Sequence, residues 1–132
     1  MNGPQGWTPL HTCAMHGHLE LCVIIMDTLL DKNPGNSDGT TPLHSAASNG
    51  QLEICKCIMK VLVDEKNPRN ILGNTPLHFA AWNGQLKICK VICQEAENKN
   101  PTNNNGDTPI KIAADKGNLN IVSFLKKVNK LL

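Results

Sequence analysis

The tetrapeptide Thr-Pro-Leu-His stands at Thr8 to His11, again at Thr41 to His44 and again at Thr75 to His78. A relaxed copy, Thr108-Pro109-Ile110-Lys111, follows. Successive threonines are 33, 34 and 33 residues apart, so one structural unit fills the chain. A fixed period in this range marks a stacked array of helical units, each unable to bury its apolar face alone. Such an array presents a broad outer surface and no enclosed catalytic pocket, which favours a binding scaffold over an enzyme.

Other residues keep the same register. Gly6, Gly39, Gly73 and Gly106 each stand two positions before the threonine, and Gly17, Gly50, Gly84 and Gly117 each stand nine after it. Leu19, Leu52, Leu86 and Leu119 follow. Thr8, Thr41, Thr75 and Thr108 suit helix N-caps, because a threonine hydroxyl accepts from orphan amides. The prolines after them suit the first helical position, where no amide hydrogen is needed. The second glycine of each unit permits a left-handed helix end. A second helix then starts near each of the four leucines. In the second unit Leu52, Ile54, Cys55, Ile58, Met59 and Leu62 give it one buried stripe at helical spacing. Small residues on the first helix (Ala14, Ala46, Ala47, Ala80, Ala81, Ala113 and Ala114) let neighbouring units approach closely.

Together these positions read Gly-x-Thr-Pro-Leu-His-x-Ala-Ala-x-x-Gly-x-Leu, which resembles the ankyrin repeat over essentially the whole chain. The resemblance implies an all-α solenoid of four helix-turn-helix units joined by hairpin-like loops, with units at about 6–38, 39–72, 73–105 and 106–132. The links depart from the family pattern. Leu29-Leu30 and Ala96-Glu97 stand where a Gly-Ala pair is usual, and the second unit carries one extra residue. The links end in Asn33-Pro34, Asn67-Pro68 and Asn100-Pro101, and the missing glycine predicts second helices that run further or end irregularly.

Composition bounds the partners. The chain has 132 residues and a net charge of +2, from 13 basic and 11 acidic side chains, too balanced to point to nucleic acid or an anionic membrane. Lys126, Lys127 and Lys130 on the last helix read as a solvated face. No run of eighteen apolar residues encodes a membrane span. Residues 1–10 lack the pattern of a signal peptide. A cytoplasmic or nuclear residence is expected, and no cofactor is implied.

Six cysteines raise the question of disulfides or zinc. Cys22, Cys55 and Cys89 occupy equivalent places, which stacked helices hold about 8–10 Å apart. A disulfide needs Cα atoms within about 7 Å, so these three do not pair down the stack. Cys89 and Cys93 share one helix face but lack the further ligands of a closed tetrahedral site. The expectation is reduced structural thiols. His11, His44 and His78, three residues after the caps, sit where a side chain reaches back in a capping box, and the resemblance implies that they also bond between units. His16 and His18 flank Gly17 and are expected to be exposed. Cys13 with His11 and His16 forms a conceivable nucleophile and base, yet no oxyanion donor or orienting third group accompanies them. No catalytic residue is assigned.

Ankyrin arrays grip protein partners with hairpin tips and first helices. The tip positions here are Pro4, Gln5, Trp7, Ser37, Asp38, Thr40, Ile71, Leu72, Asn74, Asn104, Asn105 and Asp107. The first-helix positions are Met15, His16, Ser48, Asn49, Trp82, Asn83, Asp115 and Lys116. The candidate partner-binding residues are Trp7, Met15, His16, Asp38, Thr40, Ser48, Asn49, Ile71, Leu72, Asn74, Trp82, Asn83, Asp107, Asp115 and Lys116. Both tryptophans of the chain fall on this strip, and tryptophan is enriched at interface hot spots. Trp82 with Ile71 and Leu72 is expected to form a central anchor patch, with Phe79 packed partly inside. The opposing reading is that these side chains cover one another locally.

The implied function is protein binding through the concave face. The alternative is an adaptor or effector segment whose activity lies outside this chain. Asn33, Asn67 and Asn100 match the family position that asparaginyl hydroxylases modify, although a hairpin-stabilising amide is the simpler role. The first unit is of ordinary internal type, with nothing expected to cover Leu10, Leu21 or Ile24. In the fourth, Lys111, Lys116, Asn118 and Asn120 raise polarity before the apolar Leu131-Leu132. The chain is accordingly expected to be a monomer or a segment of a longer array.

Overall fold

The computed structural model describes residues 6–62 and 66–130. Eight α-helices occur among them, in four pairs. These are α1 (Pro9–His16) with α2 (Leu19–Thr28), α3 (Pro42–Ser48) with α4 (Leu52–Val61), α5 (Pro76–Trp82) with α6 (Leu86–Glu95), and α7 (Pro109–Asp115) with α8 (Leu119–Val128). Every pair begins where the threonine and leucine registers place it. The first helices lie side by side in one layer, α1 to α3 to α5 to α7, and the second helices lie side by side in another. The result is an all-α solenoid.

Each first helix is started by its threonine. Thr8, Thr41, Thr75 and Thr108 hold extended backbone, and each hydroxyl accepts from the amide three residues on. In the first three units the histidine Nδ1 returns the bond, accepting from the cap threonine's own amide at 3.1 Å. These are full capping boxes. The fourth unit keeps the threonine bond, from Lys111 N at 3.1 Å, but the lysine side chain turns outward to Asp115.

The second helices do not run on or end irregularly. α2, α4 and α6 each have ten residues and stop at an extended residue, Leu29, Leu62 or Ala96. The link lysine does the work expected of glycine. Lys32 Nζ donates to Met26 O, Lys66 Nζ donates to Met59 O and Leu62 O at 2.7 Å, and Lys99 Nζ donates to Ala96 O at 2.9 Å. A cation there satisfies carbonyls left open at the helix end and complements its partial negative charge. The extra residue of the second unit therefore falls after Val61, in the link. Asn33 and Asn67 are buried, and their Oδ1 atoms accept from Leu43 N and Leu77 N, which tie each link to the next first helix. A buried, bonded amide supports the hairpin-stabilising role for these two.

Between link and helix the chain turns back on itself. Asn36, Asn70 and Asn103 open the hairpins that lead into the second, third and fourth units. Their amides donate to Thr40 O, Asn74 O and Asp107 O at 2.9 Å. Their side-chain oxygens accept from two further amides each, including Thr40 N, Asn74 N and Asp107 N. Adjacent tips join through Ile71 N to Asp38 O at 2.8 Å and Asn104 N to Leu72 O at 2.9 Å. Gly73, at φ +78°, faces this ladder so closely that an added Cβ would lie 2.8 Å from Asn104 N, whereas Gly106, at φ +80°, has nothing within 4 Å. Gly106→Ala is expected to cost about 1 kcal/mol for the left-handed backbone. Gly73→Ala should cost about 2–3 kcal/mol, since backbone must also shift. Urea unfolding of the two variants measures the difference, which isolates the contact between the third and fourth tips.

The core lies between the two layers. Leu10, Leu43 and Leu77 are fully buried, as are Ile58, Ile92 and Leu125 on the second helices. Leu10 overturns the expectation of an uncovered side. It is fully buried on α1, which packs against α2 of its own unit and α3 of the next, whereas Leu21 and Ile24 are exposed as expected. Ala14, Ala46, Ala47, Ala80, Ala81 and Ala113 are fully buried, while Ala114 is exposed. Five of the six cysteines are buried free thiols, and Cys57 is half-buried. They fill core space as small apolar groups. Pro4, Gln5, Glu65, Leu131 and Leu132 fall outside the described residues.

Candidate protein-binding face

The inner face is built on the three buried histidines. In each, the second ring nitrogen bridges to the following unit, His11 Nε2 to Thr40 O at 2.8 Å, His44 Nε2 to Asn74 O at 2.9 Å and His78 Nε2 to Asp107 O at 2.9 Å. A carbonyl only accepts, so Nε2 carries the hydrogen and Nδ1 is left to accept from the threonine. Both nitrogens are occupied and the ring must be neutral. Burial accordingly lowers the pKa of all three, that of His44 to about 4, against the pull of the carbonyls that favour the charged form.

His11 thus has no nitrogen left for Cys13. The Cys13 thiol is itself buried, with its pKa raised by that burial. The two do not form a nucleophile and base. A low-pKa thiolate would be needed.

A second set of bonds aligns the floor of the face. Gln51 Nε2 donates to Met15 O at 3.1 Å, Gln85 Nε2 to Ser48 O at 3.4 Å and Asn118 Nδ2 to Ala81 O at 2.8 Å. Each residue follows the glycine of its own unit and bonds the end of the preceding first helix. The sequence reading gives Asn118 a role in polarity alone and assigns none to Gln51, Gln85 or the turn asparagines Asn36, Asn70 and Asn103. Their recurrence at the unit period was the available signal.

On this frame the third and fourth units enclose an open groove of about 500 Å³. Its lining brings together five candidates, Ser48, Asn74, Trp82, Asn83 and Asp107. Phe79, His78, Asn103, Asn105 and Ile112 complete it. Phe79 is half-buried, edge-on to His44 with ring centroids 5.2 Å apart, which agrees with its expected partial packing. Trp82 is 54% exposed, and the Lys116 ammonium lies 3.9 Å from its ring centroid. Asn83 Nδ2 donates to Ser48 Oγ at 2.9 Å, and Asn103 Nδ2 to Asn74 Oδ1 at 2.9 Å, so the polar walls are held in place across units.

The remaining candidates lie elsewhere. Ile71 and Leu72, 61% and 60% exposed, stand on the third hairpin tip and are not part of the groove lining. Asp38 and Thr40 occupy the second tip, where Asn70 Nδ2 reaches Thr40 Oγ1 at 3.4 Å. Trp7 is half-buried. Its indole N–H donates to Thr12 Oγ1 at 2.9 Å and its ring stacks 4.8 Å from that of His11, so it covers the first histidine. Met15 is half-buried, while His16 and Asn49 are exposed. Asp115 is held by Lys111 at 2.9 Å.

A family model described as ankyrin repeats (3 copies) matches residues 1–60, 29–103 and 56–130. The chain belongs to the ankyrin-repeat family. Ankyrin repeats are generally protein–protein interaction modules. The search of curated proteins found no match to the chain. Among the described residues no helix is long and apolar enough to cross a membrane.

Proposed function

We propose that this ankyrin-repeat chain binds a partner protein through its inner face, with the groove of the third and fourth units as the centre of contact. The observation that supports this reading most is the exposed Trp82 indole beside a groove walled by fixed amides. Large rigid aromatic area and prepositioned polar groups are what interface anchors require. His44 and His78 hold the stack together through bonds to the following unit, whereas the Trp82 side chain is 54% exposed. Trp82 contributes its area to the surface. Its removal is therefore expected to spare the fold.

The test uses a displayed random twelve-residue peptide library selected on the chain. Binders should lose at least about tenfold in affinity to Trp82→Ala, consistent with the roughly 2 kcal/mol of a hot-spot residue. The thermal midpoint of that variant should stay within about 2 °C of the parent. Binders indifferent to Trp82→Ala and to Asn83→Ala would place the contact elsewhere.

A further inference from the structure

At the opposite end of the stack the first unit departs from the other three. Helices α2, α4, α6 and α8 have the same length, so their positions compare directly. Leu21 corresponds to Ile54, Ile88 and Ile121. It is 46% exposed, whereas they are 2%, 2% and 1% exposed. Ile25 corresponds to Ile58, Ile92 and Leu125, which are fully buried, and it is only half-buried. Ile24 is 62% exposed, whereas Cys57, Val91 and Phe124 are half-buried. At the position of Val23, the second and third units carry Lys56 and Lys90.

In the second, third and fourth units the second helix packs against the second helix of the unit before. That preceding unit is visible three times within the chain. Its first helix carries Ala14, Ala47 or Ala81 and its second helix Met26, Met59 or Cys93, all of them buried. The last unit has given up this surface. Ala114 is exposed, Lys126 replaces the sulfur-bearing residue, Lys111 replaces the histidine, and Asn129 stands where the third unit has the buried Ala96. The two ends of the stack are thus chemically unlike. One is apolar and the other is charged.

We propose that the Leu21, Ile24 and Ile25 face of α2 is a docking surface for a helix pair of the same repeat type, presenting a small alanine-bearing first helix and an apolar second helix. Continuity with the three internal interfaces identifies the occupant, because Ile54, Ile88 and Ile121, the counterparts of Leu21, are buried in every unit that has another before it. A second copy of this chain does not serve head to tail, since its available end presents Lys126 where the internal units present Met59 and Cys93. Burying a lysine ammonium on that face without a partner charge is strongly unfavourable. The inference is independent of the groove, whose lining residues all lie in the second to fourth units.

The test compares Leu21→Lys in two settings. One is the chain itself. The other is the chain with a copy of residues 39–72 inserted between Gln5 and Gly6, which preserves the register. In the chain itself the substitution should move the thermal midpoint by no more than about 2 °C, as for other surface changes. The insertion should raise the midpoint by about 5 °C or more, and Leu21→Lys should then lower it by at least that much. An unchanged midpoint on insertion, failure of the extended chain to fold, or equal effects of Leu21→Lys in both settings would overturn the proposal. So would sedimentation showing the unmodified chain as a dimer that Leu21→Lys dissociates, which would assign the face to a second copy meeting it end to end.

Discussion

Replacing His44 by alanine should destabilise the chain by about 4 kcal/mol, the largest loss expected from any one polar side chain. The ring is fully buried. Its removal leaves the Thr41 amide without its acceptor, 3.1 Å away in the folded chain, and takes from the Asn74 carbonyl one of its two donors, the Asn70 amide remaining. Each unsatisfied buried group costs roughly 1–3 kcal/mol. The space left beside Phe79, edge-on to the ring, adds a cavity cost of similar size to that of a small core truncation. Because His44 bonds both within its unit and to the next, the loss should appear as reduced cooperativity between the second and third units. Urea unfolding followed by helix content reads both. His16→Ala, at an exposed position with no such bonds, should change stability by less than about 0.5 kcal/mol. Similar losses in the two variants would show that the histidine bridges contribute little.

Stability should be flat between about pH 7 and pH 9 and fall on both sides. On the acid side the unfolded histidines take a proton near pH 6.5, while folded His44 does so only near pH 4. Between these values the unfolded chain binds the extra proton, so lowering the pH favours unfolding. For His44 alone this amounts to roughly 3 kcal/mol by pH 4. His11 and His78 are lowered in the same direction and add to it. On the alkaline side burial holds the thiols of Cys22, Cys55 and Cys89 at about 12, above the usual 9. The unfolded chain loses those protons first, so stability present below pH 9 is lost as the pH rises further. A His44→Gln variant should be weaker at pH 7 and show a shallower acid slope. An identical slope in the variant would mean that other groups set the acid limb.

The parts of this fold that were readable in the sequence are those fixed by short-range chemistry repeated in register. Threonine followed by proline sets a helix start whatever surrounds it, and three residues later a histidine can close the box. Four copies then fix the period, and the period fixes the stack. The parts that were missed depend on contacts with no local signature. Nothing in Asp31-Lys32-Asn33 announces that Lys32 bends back onto Met26 O, so from sequence the absent glycine reads as an irregular helix end. Leu10 looks bare from its place in the first unit, yet it is fully buried on a helix that packs against both α2 and α3. Residues 71 and 72 look like natural neighbours of Trp82 by position in the unit. They stand on the hairpin tip, outside the lining of the groove that Trp82 shares with Phe79 and four asparagines.

The account rests on the inner groove as the place where another protein is held, and a nuclear magnetic resonance footprint of a selected peptide binder tests it most directly. Amide shifts should concentrate at Ser48, Asn74, Phe79, Trp82, Asn83, Asn105 and Asp107, with the second helices silent. Shifts concentrated instead at Lys56, Lys60, Lys87 and Lys90, on the outer layer, would contradict it.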